Sequence, residues 1–392
     1  MLISTSYSKS VCNQFLETGS IRFIYSMVRI HEIIKDIRKM AVTFFLAAVT
    51  GVLFLELEFP APFLMGSLLG VWFTGRSIPL LRPHLGVARW FHIPVVLGLG
   101  VFIGSYFKGD LIGRTITYAP TVIVMVIVTI IVTATSFFFL TSIRKYDRLT
   151  AILCSIPGGQ AEAVVMARDM VEKDYIVALF HLTRVAFVFI TTPLLLAAIE
   201  GQEAVAGSNQ LLKTIPGVFD LNFEQGIFFV LMAVGGLMLA MLTRLPMPHL
   251  LGPVLLSAGC HATGLVDVPQ IFEFLMLAQL VIGCGVGARL AQVEFAELLI
   301  YMKDAAINTS IIIALYFGAA VLIAILLGVT ILEVWLAFVP GGLYEVTLLA
   351  VIFGFDIAFI AFHHTIRIII IFITMPPIAI YLKGKVNHSS QD

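Results

Sequence analysis

The sequence predicts an all-α membrane protein built from two tandem repeats of opposite orientation. Each repeat is expected to hold about five transmembrane helices plus one broken or re-entrant Pro-Gly-Gly segment. Three observations lead there. Apolar residues fill 59% of the 392 positions and charged residues only 12%, where a soluble domain carries about 25% charged. Apolar runs long enough to cross a hydrocarbon core of about 30 Å, which takes roughly 20 helical residues, follow one another along most of the chain. The stretch Ile156-Pro157-Gly158-Gly159-Gln160-Ala161-Glu162 returns as Val339-Pro340-Gly341-Gly342-Leu343-Tyr344-Glu345, a shift of 183 positions.

Residues 1–40 read as a cytoplasmic leader, Ser-rich at first and mixed thereafter. No apolar core follows a basic start, which argues against a cleaved signal peptide. The first repeat, 41–200, holds apolar runs at 41–57, 62–73 (short), 90–107, 119–140 and 175–199. A linker, 201–225, carries Ser208, Asn209 and Pro216. The second repeat, 226–384, holds runs at 226–242, 248–264, 271–290, 306–327 and 356–382, and 385–392 form a C-terminal tail. The duplication also reaches upstream of the breaks: Phe59-Pro60-Ala61-Pro62 matches Leu245-Pro246-Met247-Pro248, and Gly100 and Gly104 match Gly283 and Gly287. Trp72, Trp90 and Trp335 fall near ends of apolar runs, where indole rings are expected to anchor at the headgroup level.

Orientation follows from lysine and arginine, because short loops rich in these residues stay cytoplasmic. Lys35, Arg38 and Lys39 place the N-terminus inside, with 76–89 and 144–148 on the same side and Lys108 and Arg114 as exceptions. If the segments at 150–170 and 331–355 dip in and return, each half has five crossings. Arg244, Arg289, Lys303, Lys383 and Lys385 then also lie inside, and the linker outside. If those segments cross fully, the halves are parallel and Arg244, Arg289 and Lys303 move outside. The charge rule favours the inverted arrangement, in which secondary transporters place their sites at the repeat interface.

The Pro-Gly-Gly breaks carry the functional argument. Pro157, Gly158, Gly159, Pro340, Gly341 and Gly342 interrupt helices where hydrocarbon cannot satisfy freed backbone, so such segments line protein or a water-filled cavity. Amides at the start of the following helix suit an anion. Glu162 and Glu345 fall in that first turn, where the helix dipole favours them by roughly 0.3–1 kcal/mol. Insertion costs about 2.5–3.5 kcal/mol, so capping alone does not account for them. They either pair with arginine or titrate with a coupling ion. His181 and Arg184, like His364 and Arg367, lie three apart and share a helix face. Both arginines fall near mid-depth and are expected to face inward, toward a carboxylate, a backbone carbonyl or an anionic ligand. The histidines are candidates to relay protons. His363 beside His364 lacks the i, i+4 spacing of a helical metal pair.

The balance of 24 basic and 24 acidic residues gives no field that would draw nucleic acid. Cys12, Cys154, Cys260 and Cys284 have no paired spacing, and nothing implies a cofactor, a metal or an enzyme active site. The partners implied are the lipid bilayer and a small-molecule or ion substrate; assembly into a homo-oligomer is left open.

The doubled Pro-Gly-Gly-x-x-Glu segments with their histidine–arginine helices, over about 41–384, resemble the AbrB-duplication family of bacterial membrane proteins. The resemblance implies a multi-spanning inner-membrane protein. Family members are labelled as regulators of gene expression or as ammonia monooxygenases, and no motif in this sequence carries either label. The residues favour a secondary transporter of a small, anionic solute, with a membrane sensor that acts on gene expression indirectly as the alternative. Gln160-Ala161 against Leu343-Tyr344, and Phe180 against His363, make the two half-sites unequal.

Overall fold

The computed structural model describes residues 33–389, except 110, 159–162, 165, 168–169, 202, 204, 208–209, 211–213 and 293–294. Within that span the side chains at 111–112, 114–115, 295–300, 344–345 and 383–389 also lie outside the description. All regular structure among the described residues is helical. The first half contains α1 (Ile33–Glu56), α2 (Pro62–Ser77), α3 (Arg89–Gly104), α4 (Leu111–Phe138, ending in a wider π turn to Ile143), α5 (Arg148–Ser155) and α6 (Asp174–Ile199). The second contains α7 (Phe223–Leu242), α8 (Pro248–Ala262), α9 (Phe272–Gln292), α10 (Phe295–Leu327), α11 (Ile331–Phe338), α12 (Leu343–Phe353) and α13 (Ile357–Ser389). Seven of these, α1, α4, α6, α7, α9, α10 and α13, are long and apolar enough to cross a membrane. Two helices extend ahead of the expected boundaries: α1 is already helical at Ile33, inside the leader, and α7 starts inside the linker at Phe223.

The repeat seen in the sequence reappears in the backbone. Helix pairs α3/α9, α5/α11 and α6/α13 begin at Arg89/Phe272, Arg148/Ile331 and Asp174/Ile357, all with the spacing of the Pro-Gly-Gly motif. Farther upstream, Pro62 and Pro248 open α2 and α8 at the first helical position, where proline's missing N–H costs nothing. Ahead of each, two non-glycine residues take the left-handed region: Glu58 (φ 54°) and Ala61 (φ 50°), then Arg244 (φ 54°) and Met247 (φ 48°). Side chains rarely tolerate that region, so the same costly corner has been kept in both copies.

Helices exchange partners between the halves. The most extensive packing is α2 on α9 and α3 on α8, and small residues make it close. A β-carbon at Gly104 would sit 2.6 Å from the Val254 carbonyl oxygen, and one at Gly100 2.9 Å from that of Leu250. The counterpart surface is Gly283 against Leu64, at 2.7 Å from its carbonyl oxygen, and Gly287 against Leu68. Such backbone contact is how helices associate where lipid removes the hydrophobic drive. The second group comprises α4, α5, α6, α10, α11, α12 and α13.

Contacts at helix ends form two sets. In one, Arg144 pairs with Asp304, the Tyr146 hydroxyl donates to Asp304 (3.0 Å), and Lys173 reaches the Tyr301 hydroxyl (3.3 Å). In the other, the Tyr118 hydroxyl donates to Asp356 (3.1 Å), whose backbone N–H donates to Glu333 (3.1 Å). Lys108 also donates to Asp267 at 2.6 Å, a hydrogen bond that holds this carboxyl below its ordinary range.

Trp335 corrects an expectation. Its side chain is fully buried and its indole N–H donates to Thr192 Oγ1 at 3.1 Å, so it packs in the protein interior and is not a headgroup anchor.

Replacing Gly104 or Gly287 with leucine should overpack the α3·α8 or α2·α9 contact and cost about 1–3 kcal/mol, read as a lower unfolding midpoint in detergent. Gly285→Leu, on the same helix but with open space around its β-position, is the control and should leave the midpoint unchanged.

Candidate functional site

Helix α5 is stopped after eight residues by Ile156-Pro157-Gly158. Asp147 caps its start by accepting from the Thr150 N–H at 2.8 Å. Gly158 has φ +120°, a conformation that side chains rarely adopt and glycine takes freely. At its far end an eight-residue helix leaves its last four carbonyls without helical partners, and the solution lies on α6. Arg184 donates to Ile156 O (2.6 Å) and to Cys154 O (3.0 Å), and His181 Nε2 bonds Leu153 O (3.0 Å).

The second half repeats the construction. Helix α11, also eight residues long, ends before Pro340-Gly341-Gly342. Arg367 on α13 donates to Phe338 O (2.7 Å) and Val339 O (2.9 Å), and His364 Nε2 bonds Leu336 O (2.8 Å). Leu153 and Leu336 are equivalent positions under the motif shift, so each histidine takes the same carbonyl in its own half. A cation at a helix C-terminus is also the favourable sign for the helix dipole.

Both histidines are engaged at both ring nitrogens. In each, Nδ1 faces the neighbouring guanidinium, at 3.4 Å for Arg184 with His181 and 2.7 Å for Arg367 with His364. A guanidinium only donates, so Nδ1 accepts, Nε2 carries the hydrogen, and the ring is the neutral tautomer. This geometry makes His181 and His364 braces between arginine and carbonyl. It leaves neither ring nitrogen free for the proton relay that the sequence suggested.

Arg184 and Arg367 are each 2% exposed, so they face the interior, as the depth argument required. Of the three partners anticipated for them, the backbone carbonyl is the one found among the described residues. Both lie within electrostatic reach of the buried Tyr316 hydroxyl, which itself donates to Thr129 Oγ1 at 2.9 Å. The two arginines also feel each other's charge. Tyr316 on α10 thus lies near both arginines.

Pro157, Gly158, Pro340, Gly341 and Gly342 form the two breaks beside these arginines. Gly159 and Glu162 lie outside the described residues, and of Glu345 only the backbone, in the first turn of α12, is described. The Glu–Arg pairing considered from the sequence therefore falls outside the description.

Of three polar features near the breaks, two went unflagged in the sequence, and His363 was noted there as a departure from the repeat. Ser136 Oγ lies 2.9 Å from Ser155 Oγ and 2.8 Å from Asn308 Oδ1, joining α4, α5 and α10. His363 Nε2 lies 2.9 Å from Thr121 Oγ1, linking α13 to α4, while its Nδ1 lies 2.8 Å from Phe359 O. Tyr316 is the third. Only the unmatched His363 carried a sequence signal; the others lie in apolar helices whose neighbours the sequence does not give.

An all-helical, multi-pass membrane protein with two helices broken at Pro-Gly-Gly, each clamped by an arginine and a histidine, is the class that fold and site define. The chain belongs to the AbrB family: the family model described as "Transition state regulatory protein AbrB" matches residues 73–383. It is similar to the "Putative regulator AbrB" of Escherichia coli (strain K12), 26% identical over 330 residues that cover 84% of this chain and 92% of the relative. It is also similar to the "Uncharacterized protein YhjN" of Bacillus subtilis (strain 168), 23% identical over 331 residues that cover 80% and 86%.

Arg184→Met or Arg367→Met should destabilise the protein by about 1–3 kcal/mol for each carbonyl left without a donor. His181→Leu, which orphans one carbonyl, should cost less. Thermal unfolding in detergent reads the order, and an Arg184→Met protein as stable as the parent would count against the clamp.

Proposed function

We propose that the chain is a secondary transporter of a small anionic solute, with its site where two inverted repeats meet near mid-depth of the bilayer. The observation that carries this reading is the pair of clamped breaks around Tyr316. Two helix ends, two buried guanidiniums and irregular backbone converge there, and irregular backbone at membrane depth belongs with cavities and substrate paths.

Inversion is supported by the two sets of end contacts. Tyr146 ahead of α5, Lys173 ahead of α6 and the Tyr301–Asp304 end of α10 gather together. The first Pro-Gly-Gly segment on this reading leaves and returns to one face. Glu333 in α11 binds Asp356 ahead of α13, beside Tyr118 at the start of α4, so the second segment leaves and returns to the opposite face.

Charge supports an orientation as well. If α3 and α4 cross in turn, the face with Arg144, Lys173 and Lys303 also carries Arg89, and Lys39 with it, since Asp36 in α1 accepts from Trp90 in α3 (3.2 Å). The other face carries Asp220, Asp267, Glu273, Glu333 and Asp356. By the positive-inside rule the basic face is cytoplasmic. On this reading the N-terminus is inside, and the cytoplasmic (inner) membrane is the one the family resemblance implies.

A second reading is a membrane sensor that changes gene expression through a soluble partner. The printed names of the family model and of one relative favour it, and the basic face would be its docking side.

Two measurements test the proposal. A topology reporter inserted in the linker at 207 should report the outer side; a cytoplasmic signal would refute inversion. In proteoliposomes, gradient-driven flux of small organic anions should exceed that of empty vesicles and fall at least tenfold in Glu345→Gln. Flux equal to empty vesicles for every anion would leave the sensor as the better reading.

A further inference from the structure

The two half-sites are not equally filled. A cavity of about 470 Å³ runs between α4 and α13 in the first break's neighbourhood, lined by Thr129, Thr133, Pro157, Arg367, Ile371 and Ile378 among others. From Arg367 to Ile378 it follows α13 for about 16 Å at a rise of roughly 1.5 Å per residue. Among the described residues its walls are apolar apart from a few hydroxyls, and Arg367 is the one charged residue lining it.

Arg367 is not fully used by its clamp. Its terminal nitrogens bind Phe338 O, Val339 O and His364 Nδ1, and the guanidinium also interacts with the Tyr316 hydroxyl, but the buried Nε has no hydrogen-bond partner among the described residues. It lies 3.8 Å from where a β-carbon on Gly158 would stand, so the missing side chain at that turn keeps space open before it. An unpaired N–H on a buried cation costs free energy until an acceptor arrives.

The equivalent space in the other half is plugged. Under the motif shift, Ile152, Thr133 and Ala134 of the open half correspond to Trp335, Tyr316 and Phe317. Trp335 and Tyr316 are fully buried, Trp335 donates to Thr192, and Phe317 packs edge-on against Trp335 with centroids 5.7 Å apart. Three small or aliphatic positions have become three aromatic ones.

We propose that this cavity binds an apolar monoanion: one anionic group held at Arg367 Nε, with an unbranched or flat apolar body lying along α13 toward Ile378. The inference rests on the transporter reading for its role in flux, but not for the binding itself. The same chemistry is offered by a free carboxylic acid and by an anionic phospholipid of the bilayer.

Full-length protein in phosphatidylcholine nanodiscs is titrated with sodium octanoate, with octan-1-ol and with acetate, following heat of binding and unfolding midpoint. Octanoate should bind at least tenfold tighter than either comparison. Thr133→Trp, or Thr374→Trp on the opposite wall, should weaken octanoate at least tenfold. A second arm replaces part of the lipid with phosphatidylglycerol and omits octanoate. A midpoint raised in the parent but not in Thr133→Trp would identify the bilayer as the source of the anion. Octan-1-ol binding as tightly as octanoate, or cavity-filling variants that leave the octanoate and phosphatidylglycerol responses unchanged, would overturn the proposal. Octanoate binding without any anion flux would keep this site and remove the transporter; flux of small anions indifferent to Thr133→Trp would keep the transporter and remove the cavity's role in flux.

Discussion

A helix that ends inside a protein leaves buried carbonyl groups with no water to bond, and in this protein two helices end where arginine and histidine side chains meet those carbonyls. Everything at the centre follows from that need. An arginine near the middle of a membrane helix costs about 2.5–3.5 kcal/mol to insert, while each buried carbonyl without a donor costs about 1–3 kcal/mol. The Arg184–His181 pair serves Ile156, Cys154 and Leu153; the Arg367–His364 pair serves Val339, Phe338 and Leu336. Three carbonyls satisfied offset one buried charge. The broken helix and the charged helix make sense only together.

Against this shared construction, the differences between the halves stand out. The clamps are equivalent carbonyl by carbonyl at Leu153 and Leu336, yet the surroundings have diverged. Phe180 packs on Tyr146, whereas its counterpart His363 bonds Thr121 across the repeat boundary. Thr133 leaves space where Tyr316 fills it. Duplication supplied two frames, and one of them has been closed with aromatic rings.

Much of this was legible in the sequence. The 183-residue register, the two stops, the inward arginines and most helix positions all follow from proline, glycine and charge placed in apolar runs. What the arginines hold was not legible, because carbonyls carry no letter: a carboxylate, a carbonyl and a ligand were equally compatible with Arg184 and Arg367. Trp335 misled for a physical reason. It lies near the end of an apolar run, but that run belongs to α11, which stops at Phe338 inside the protein, so the end of the run is not the edge of the membrane. Thr133 and Tyr316 passed unnoticed because a hydroxyl in an apolar helix resembles ordinary packing until its neighbours are known.

The crossed pairing of α2 with α9 and α3 with α8 bears on how the chain is made. When the ribosome has delivered the first half, the faces around Leu64, Ser67, Gly100 and Gly104 still lack the surfaces that cover them, which lie about 150 to 220 residues further on. Those helices must wait in the lipid with small, poorly shielded faces until α8 and α9 arrive. The protein thus matures as a single late event of intertwining, and its first half is an unfinished intermediate rather than a miniature of the whole.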